Sequence, residues 1–324
     1  MTRVSIAIPC WNAGTGLGEA IQSALAQTQT DVEIVIVDDG STDAETLRLL
    51  NVSDWPRTRV IRQANAGPAA ARNRAIAEAT GEYILPLDAD DLLEPTYAAK
   101  AAVVLDAQPD VGIVYCRATK FGAEEGPWDL PTFSPGELAL GNVIFTSAMF
   151  RKADWESVGG FDEGFRHGME DYDFWIRLVH AGRKVVQLPE ALFRYRVRDG
   201  SRTGLFEQDR EQVVATYAGI FRKNRDFFAE HAESLFRRHF AMLKDLNGLH
   251  ARLARESQAA ATERETLLEH KSEADRYNAS LLEANAKLVA EIEQVRRLYA
   301  RLRSRFRWLW FIWPRPCKGS ETSE

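Results

Sequence analysis

The stretch Tyr83-Ile84-Leu85-Pro86-Leu87-Asp88-Ala89-Asp90-Asp91 joins an apolar run to three carboxylates in four residues. The apolar part has the length of a buried strand, and the acids stand at its carboxyl end. Like charges repel and burial strips them of water, so such crowding is costly. A divalent cation removes that cost, and hard oxygen ligands suit Mg²⁺ or Mn²⁺. The ordinary alternative is a helix start, with acids complementing the helix dipole ahead of Glu94-Pro95. The cluster alone leaves both readings open.

Outward from it, residues 3 to about 116 alternate strand and helix patterns. Val4–Ile8 is strand-like and Leu17–Ala26 helical. Val32-Glu33-Ile34-Val35-Ile36-Val37 is the β-branched run expected of a strand buried on both faces. Thr42-Asp43-Ala44-Glu45 resembles a capping box opening the next helix. A strand at Thr58–Ile61, helices at Pro68–Ala79 and Pro95–Ala107, and a strand at Val111–Cys116 complete the alternation. The pattern predicts an α/β fold with a mainly parallel sheet, whose ligands bind beyond the carboxyl ends of the strands. Asp38-Asp39 and Asp88 to Asp91 fall there. From Phe121 to about Gly168 glycines and prolines interrupt the pattern, predicting loops and short strands. Asp171–Ala181 reads as an amphipathic helix, and Val185–Leu188 and Leu192–Tyr195 as short strands.

Beyond about Phe206 the chain is charged and helix-forming, with no proline between Pro189 and Pro314. Leu246, Leu253, Ala260, Leu267, Ala274, Leu281, Leu288, Val295 and Leu302 recur every seven residues, the stripe of a coiled coil. The companion positions are poorer: Glu256, Glu263, His270 and Glu291 interrupt them, leaving a single solvated helix as the alternative. The last segment interleaves Arg301, Arg303, Arg305 and Arg307 with Phe306, Trp308, Leu309, Trp310, Phe311, Ile312 and Trp313. It is too short to span a bilayer, but aromatics beside arginines suit a membrane interface, so residues 301–315 are expected to meet a membrane surface. A hydrophobic oligomer contact is the alternative.

The 324 residues are 45% hydrophobic and carry a net charge of −6, which argues against a nucleic-acid partner. The three cysteines, Cys10, Cys116 and Cys317, form neither a disulfide framework nor a zinc pattern, as expected in a reducing cytoplasm. The start lacks the basic leader and apolar core of a signal peptide. Gly14-Thr15-Gly16-Leu17-Gly18, with Asp38-Asp39 about 20 residues on, imitates a dinucleotide-binding fingerprint. The spacing fails, because Glu19 stands where the third glycine belongs, and a nicotinamide site gives Asp88, Asp90 and Asp91 no role.

Five segments occur in order: Ile6-Ala7-Ile8-Pro9-Cys10-Trp11-Asn12, Val37-Asp38-Asp39-Gly40-Ser41-Thr42-Asp43, Asn65-Ala66-Gly67-Pro68 with Ala71-Arg72-Asn73, Asp88-Ala89-Asp90-Asp91, and Gly168-Met169-Glu170-Asp171. Together, over roughly residues 3 to 203, they closely resemble the inverting family 2 glycosyltransferases. The resemblance implies the GT-A fold, that of nucleotide-diphospho-sugar transferases. It implies that Asp39 accepts a hydrogen bond from the nucleobase, that Pro9 and Trp11 line the base pocket with Asn12 beside them, and that Arg72 neutralises diphosphate. Asp88 and Asp90 are then the metal-holding Asp-x-Asp element, Asp90 the more direct ligand of Mn²⁺ or Mg²⁺, with Asp88 reaching the ribose or sugar of the donor as its alternative role and Asp91 in support. Asp171 is the catalytic base, supported by Glu170; without the family, Asp171 reads as a helix cap.

Two departures stand out. The Gln-x-x-Arg-Trp element of processive members is absent, so one sugar per encounter is expected. Tyr195-Arg196-Val197-Arg198 puts an arginine where relatives often carry a histidine near the metal. Arg198 cannot ligate a cation but can bind diphosphate bidentately.

The expected organisation is a GT-A domain over 1–204, a helical region with coiled coil over 205–303, and an aromatic and basic tail over 304–324. The expected activity moves a sugar from a nucleotide-diphosphate donor to a hydroxyl of a glycan or lipid-linked acceptor, in bacterial surface polysaccharide synthesis. The enzyme would sit in the cytoplasm on the inner face of the membrane, as a homo-oligomer or bound to a partner helix. The competing readings are a non-catalytic coiled-coil scaffold and the nicotinamide oxidoreductase.

Overall fold

The computed structural model describes residues 2–51, 55–166, 168–198 and 201–305. In chain order its elements begin β1 (Val4–Cys10), α1 (Gly16–Leu25), β2 (Val32–Asp38), α2 (Ala44–Asn51), β3 (Thr58–Arg62), α3 (Pro68–Glu78), β4 (Tyr83–Pro86), β5 (Leu92–Leu93), α4 (Tyr97–Ala107) and β6 (Val111–Gly122). They continue with β7 (Gly126–Trp128), α5 (Pro135–Leu140), β8 (Met149–Arg151), α6 (Lys152–Ser157), α7 (Glu170–His180), β9 (Lys184–Val197), α8 (Arg202–Gln208), α9 (Arg210–Lys223), α10 (Arg225–Glu230) and α11 (Ala232–Arg305).

Among the described residues the strands form one mixed, mostly parallel sheet in the order β3-β2-β1-β4-β8-β6-β9-β5, with β7 on β6. β1 is buried along its whole length and runs parallel to β2 and β4, pairing Cys10 with Asp38 and Ala7 with Pro86. The carboxyl ends of β1, β2 and β4 therefore open on one edge. α3 packs on β1 and β2 through Ala69, Ala71, Ala75 and Ile76, side chains small enough for close approach.

Local differences from the sequence reading have physical causes. Asp43, not Thr42, caps α2: its carboxylate accepts from Thr46 N at 2.8 Å and Thr46 Oγ1 at 2.7 Å. The two short strands expected around Pro189 are one strand, β9, whose irregular register opposite Cys116–Ala118 absorbs the interruption. β8, three residues long, inserts antiparallel between β4 and β6 and is too short for a periodic signal.

The chain divides into two compact units, Met1–Phe240 and Ala241–Glu324. The first includes α8 to α10, whose Phe206, Ile220, Phe227 and Phe228 are buried. Each buried phenylalanine contributes about 1.5–3 kcal/mol. In the second, α11 carries exposed Leu246, Leu253, Leu267, Leu281, Leu288 and Val295 on the seven-residue stripe. No helix among the described residues is long and apolar enough to cross a membrane. Beyond Arg305 the aromatic and basic tail lies outside the described residues.

Candidate functional site

At the carboxyl edge of β1, β2 and β4 a cavity of about 520 Å³ opens. Pro9, Trp11, Asp39, Asp88, Asp90, Asp91 and Arg198, all singled out in the sequence, line it. Tyr195 and Arg196, which precede Arg198 in the same motif, line it too, as do Arg166 and Arg202, for which the sequence carries no signal. Asn12, Arg72, Glu170 and Asp171 are not among the lining residues.

Trp11 is 59% exposed, an open aromatic face at the cavity. Asn12 works behind it, with left-handed φ of 49°: its side-chain oxygen accepts from Thr42 N at 2.8 Å and Asp43 N at 2.9 Å. That fixes the turn after β2. Asp39 is buried and anchors the loop before α3, accepting from Gln63 Nε2 at 2.8 Å, Ala66 N at 2.9 Å and Gly67 N at 2.9 Å. Gly67 has φ of 94°, which a side chain resists, and it turns that amide onto the carboxylate. The Cys10 thiol also lines the cavity, but burial and then Asp38 push it up to about 12, so it stays neutral and is no nucleophile.

Arg72 is fully buried behind the acidic loop. Its Nη2 donates to Asp88 Oδ1 and its Nη1 to Glu170 Oε1, both at 2.9 Å. Its guanidinium thus joins the acidic loop to the start of α7 and lies outside the cavity lining where a diphosphate would bind. Glu170 also meets Arg202 at 3.2 Å. Burial pushes the Glu170 carboxyl up, yet Arg202 and Arg72 outweigh it and hold it well below its ordinary range.

Asp90 faces a different field. Burial and then Asp88 raise its pKa, against the Arg198 guanidinium, whose Nη2 pairs with Asp90 Oδ2. Asp91, almost wholly buried, is raised further by burial and by Asp90 and Asp88. It accepts from Arg196 N at 2.8 Å, while Arg196 Nε donates to the Asp90 carbonyl at 2.7 Å. The acidic loop is thereby stapled to the end of β9. Gly16 lets α1 come close: a Cβ there would stand 3.2 Å from Asp90 Cβ. The glycines that imitated a dinucleotide fingerprint thus include one that gives the acids room.

Asp171 lies in the first turn of α7, after Met169 in a left-handed conformation with φ of 70°. It accepts from Thr146 Oγ1 and from Tyr172 N, each at 2.8 Å. Burial, and then the Glu170 charge, raise its pKa despite these donors. The helix cap is Met169, so Asp171 is not itself the cap.

Among the described residues no group of three or more acidic, histidine or cysteine side chains is arranged to hold a metal. Asp88 and Asp90 nonetheless fit one kind of site. Mg²⁺ and its relatives are commonly held by one or two carboxylates, with substrate phosphate and water completing the shell. The upward push on Asp90 is what a cation beside it would relieve.

Comparison with known proteins identifies a family and several similar chains. The family model described as glycosyl transferase family 2 matches residues 5–166, and one described as the N-terminal domain of galactosyltransferase matches 142–198. Chondroitin synthase of Escherichia coli is 34% identical over 185 residues, covering 55% of this chain and 27% of that protein. The chain therefore spans only about a quarter of that relative's length. The succinoglycan biosynthesis protein ExoO of Rhizobium meliloti is 29% identical over 279 residues, covering 80% of this chain and 79% of that one. Among solved structures, S. aureus TarS 1-349 in complex with UDP matches with a TM-score of 0.55 at 22% identity, over 74% of this chain and 72% of that one. The mannosyltransferase PcManGT of Pyrobaculum calidifontis, in complex with GDP-Man and Mn²⁺, matches with a TM-score of 0.54 at 21% identity, over 72% and 68%.

Proposed function

The chain belongs to glycosyl transferase family 2 and is a glycosyltransferase, and from that premise we propose that it moves a sugar from a nucleoside-diphosphate donor to an acceptor hydroxyl with inversion. One observation carries the reading: residues far apart in the sequence, among them Pro9 and Trp11, Asp39, Asp88 to Asp91, and Arg196, Arg198 and Arg202, line a single cavity. The base lies against Pro9 and Trp11, near Asp39. Arg166, Arg198 and Arg202 supply the positive charge that a diphosphate needs. Asp88 and Asp90 would hold Mn²⁺ or Mg²⁺, which when bound offsets charge gathering on the departing diphosphate. Arg198 leaves Asp90 for the diphosphate as the donor enters.

Asp171 takes the acceptor proton as that oxygen attacks the anomeric carbon. Its raised pKa makes it a stronger base once ionised. Glu170 stays ionised between Arg72 and Arg202 and positions the helix start. The test is Asp171→Asn. It should abolish transfer while a nucleotide and Mn²⁺ still raise the melting temperature. Transfer at the wild-type rate would refute the assignment of the base.

The names of the relatives support an acceptor, glycan or lipid-linked, in bacterial polysaccharide synthesis; work in the cytoplasm on the inner face of the membrane is part of the same proposal. We propose further that the exposed stripe on α11 pairs with a second copy or a partner helix, and that residues 301–315 touch the membrane surface. Loss of liposome pelleting on truncation at 300 is the expected result for the tail, and retained pelleting would refute it.

A further inference from the structure

A second cavity, of about 540 Å³, lies between β6, β7 and the irregular part of β9. Trp128, half-buried, and Phe145, buried against Phe193, are among its lining residues, and exposed Arg117, Asp129, Thr132 and Gln187 stand around them. All four of these polar side chains are exposed and so open to a ligand. Their charges cancel, one arginine against one aspartate, which disfavours a phosphate-rich ligand. The accessible part of Trp128, flanked by exposed planar amide, guanidinium and carboxylate groups, suits a ligand with apolar C–H patches and many hydroxyls. The volume is within the range of small-molecule sites and leaves room for about two sugar rings.

Its position ties it to the reaction from two sides. The Trp128 ring packs 4.6 Å from that of Tyr195, and Tyr195 lines the donor cavity. Phe145 lines the second cavity, and its neighbour Thr146 donates to the Asp171 carboxylate at 2.8 Å. The cavity is thus linked through Trp128 to the donor wall and through Phe145 to the residue that supports Asp171. We infer that this cavity is an extended acceptor subsite, holding saccharide units behind the one whose hydroxyl reacts. The inference rests on the glycosyltransferase reading above. It places acceptor recognition on β6, β7 and β9, apart from the acids that hold the donor.

The test is saturation-transfer NMR and calorimetry on the full chain with a panel of neutral, N-acetylated and uronate-containing tetrasaccharides. At least one should bind the wild type with millimolar or better affinity, with contacts at its non-reacting units. Gln187→Ala combined with Arg117→Ala should weaken that binding tenfold or more. These side chains are exposed, so circular dichroism should report an unchanged fold. Absence of binding by the whole panel, or equal binding by the double variant, would overturn the subsite. A parallel arm titrates nucleoside diphosphates with Mn²⁺. Failure of that arm counts against the donor reading, whereas nucleotide binding with glycan failure counts against the subsite alone.

Discussion

Arg72→Met asks whether one buried guanidinium holds the acidic loop and the start of α7 together. Methionine keeps much of the side-chain bulk but removes the charge and both hydrogen bonds, to Asp88 and to Glu170. Taking one partner from a buried ion pair costs about 3–5 kcal/mol, because the other charge is left uncompensated. Two features discount this. The Asp88 side chain is 32% exposed and can recover water, and Glu170 keeps Arg202 at 3.2 Å. The expected loss is therefore near the lower end, about 3 kcal/mol, or a fall in melting temperature of about 6–12 °C for a unit of this size. Urea unfolding at pH 7 measures it. The pH dependence has a definite sign. Glu170 is held below its ordinary range, so its contribution is present above the unfolded pKa and lost as pH falls through the lowered folded value. The gap between wild type and variant should thus close in acid. A loss under about 1 kcal/mol at pH 7, or a gap that widens in acid, would refute the account.

Other outcomes follow from the same geometry. Glu170→Gln removes a like charge beside Asp171, so the acid limb of the rate-against-pH profile should move to lower pH; a limb that stays put would mean that another group sets it. Arg198→Gln frees Asp90 of its half-exposed partner. Binding of Mn²⁺ alone, read by loss of its free electron-resonance signal, should tighten about twofold to fivefold. Gly16→Val drives a side chain into Asp90. It should cost about 1–3 kcal/mol and weaken nucleotide binding in the presence of Mn²⁺, as calorimetry would show. Leu281→Asp with Leu288→Asp should reduce the sedimentation mass if α11 pairs through its stripe, and leave it unchanged if α11 is a solvated helix.

The sequence made some of this site legible and hid the rest for physical reasons. β1, β2 and β4 are buried on both faces, so they read as continuous apolar runs, and the acids at their ends read as a ligand edge. Arg72 was harder, because an arginine in a helix is by default a surface residue. The missed signal is helical spacing: Ala69, Arg72, Ala75 and Ile76 share one face, which is buried. Arg202 gave no such sign, since its partner Glu170 lies far back in the chain and only the fold brings them together. Arg166 and Tyr195 sit in irregular or strand-end positions where periodicity says nothing about direction. The capping error at Thr42 has a similar root: Thr42, Asp43 and Ser41 are all good caps, and the Asn12 side chain decides among them by binding the amides of Thr42 and Asp43.

Glu170 and Asp171 are adjacent carboxylates with opposite fates. Arginines on two sides hold Glu170 ionised, while burial and the Glu170 charge raise Asp171. When neighbouring titratable groups are pushed apart, their roles separate as well. Glu170, kept charged, cannot exchange protons near neutral pH, but it can fix two guanidiniums: Arg72, which carries Asp88, and Arg202, which lines the donor cavity. Asp171 is left with a higher proton affinity and a hydroxyl, Thr146, to orient it. In the proposed mechanism the charge of Glu170 thus serves both ends of the reaction: it holds Arg202 at the cavity and Arg72 behind the acidic loop, and it raises the proton affinity of Asp171. Removing it should therefore impair donor binding and weaken the base together, whereas a purely structural helix-start acid would disturb only stability.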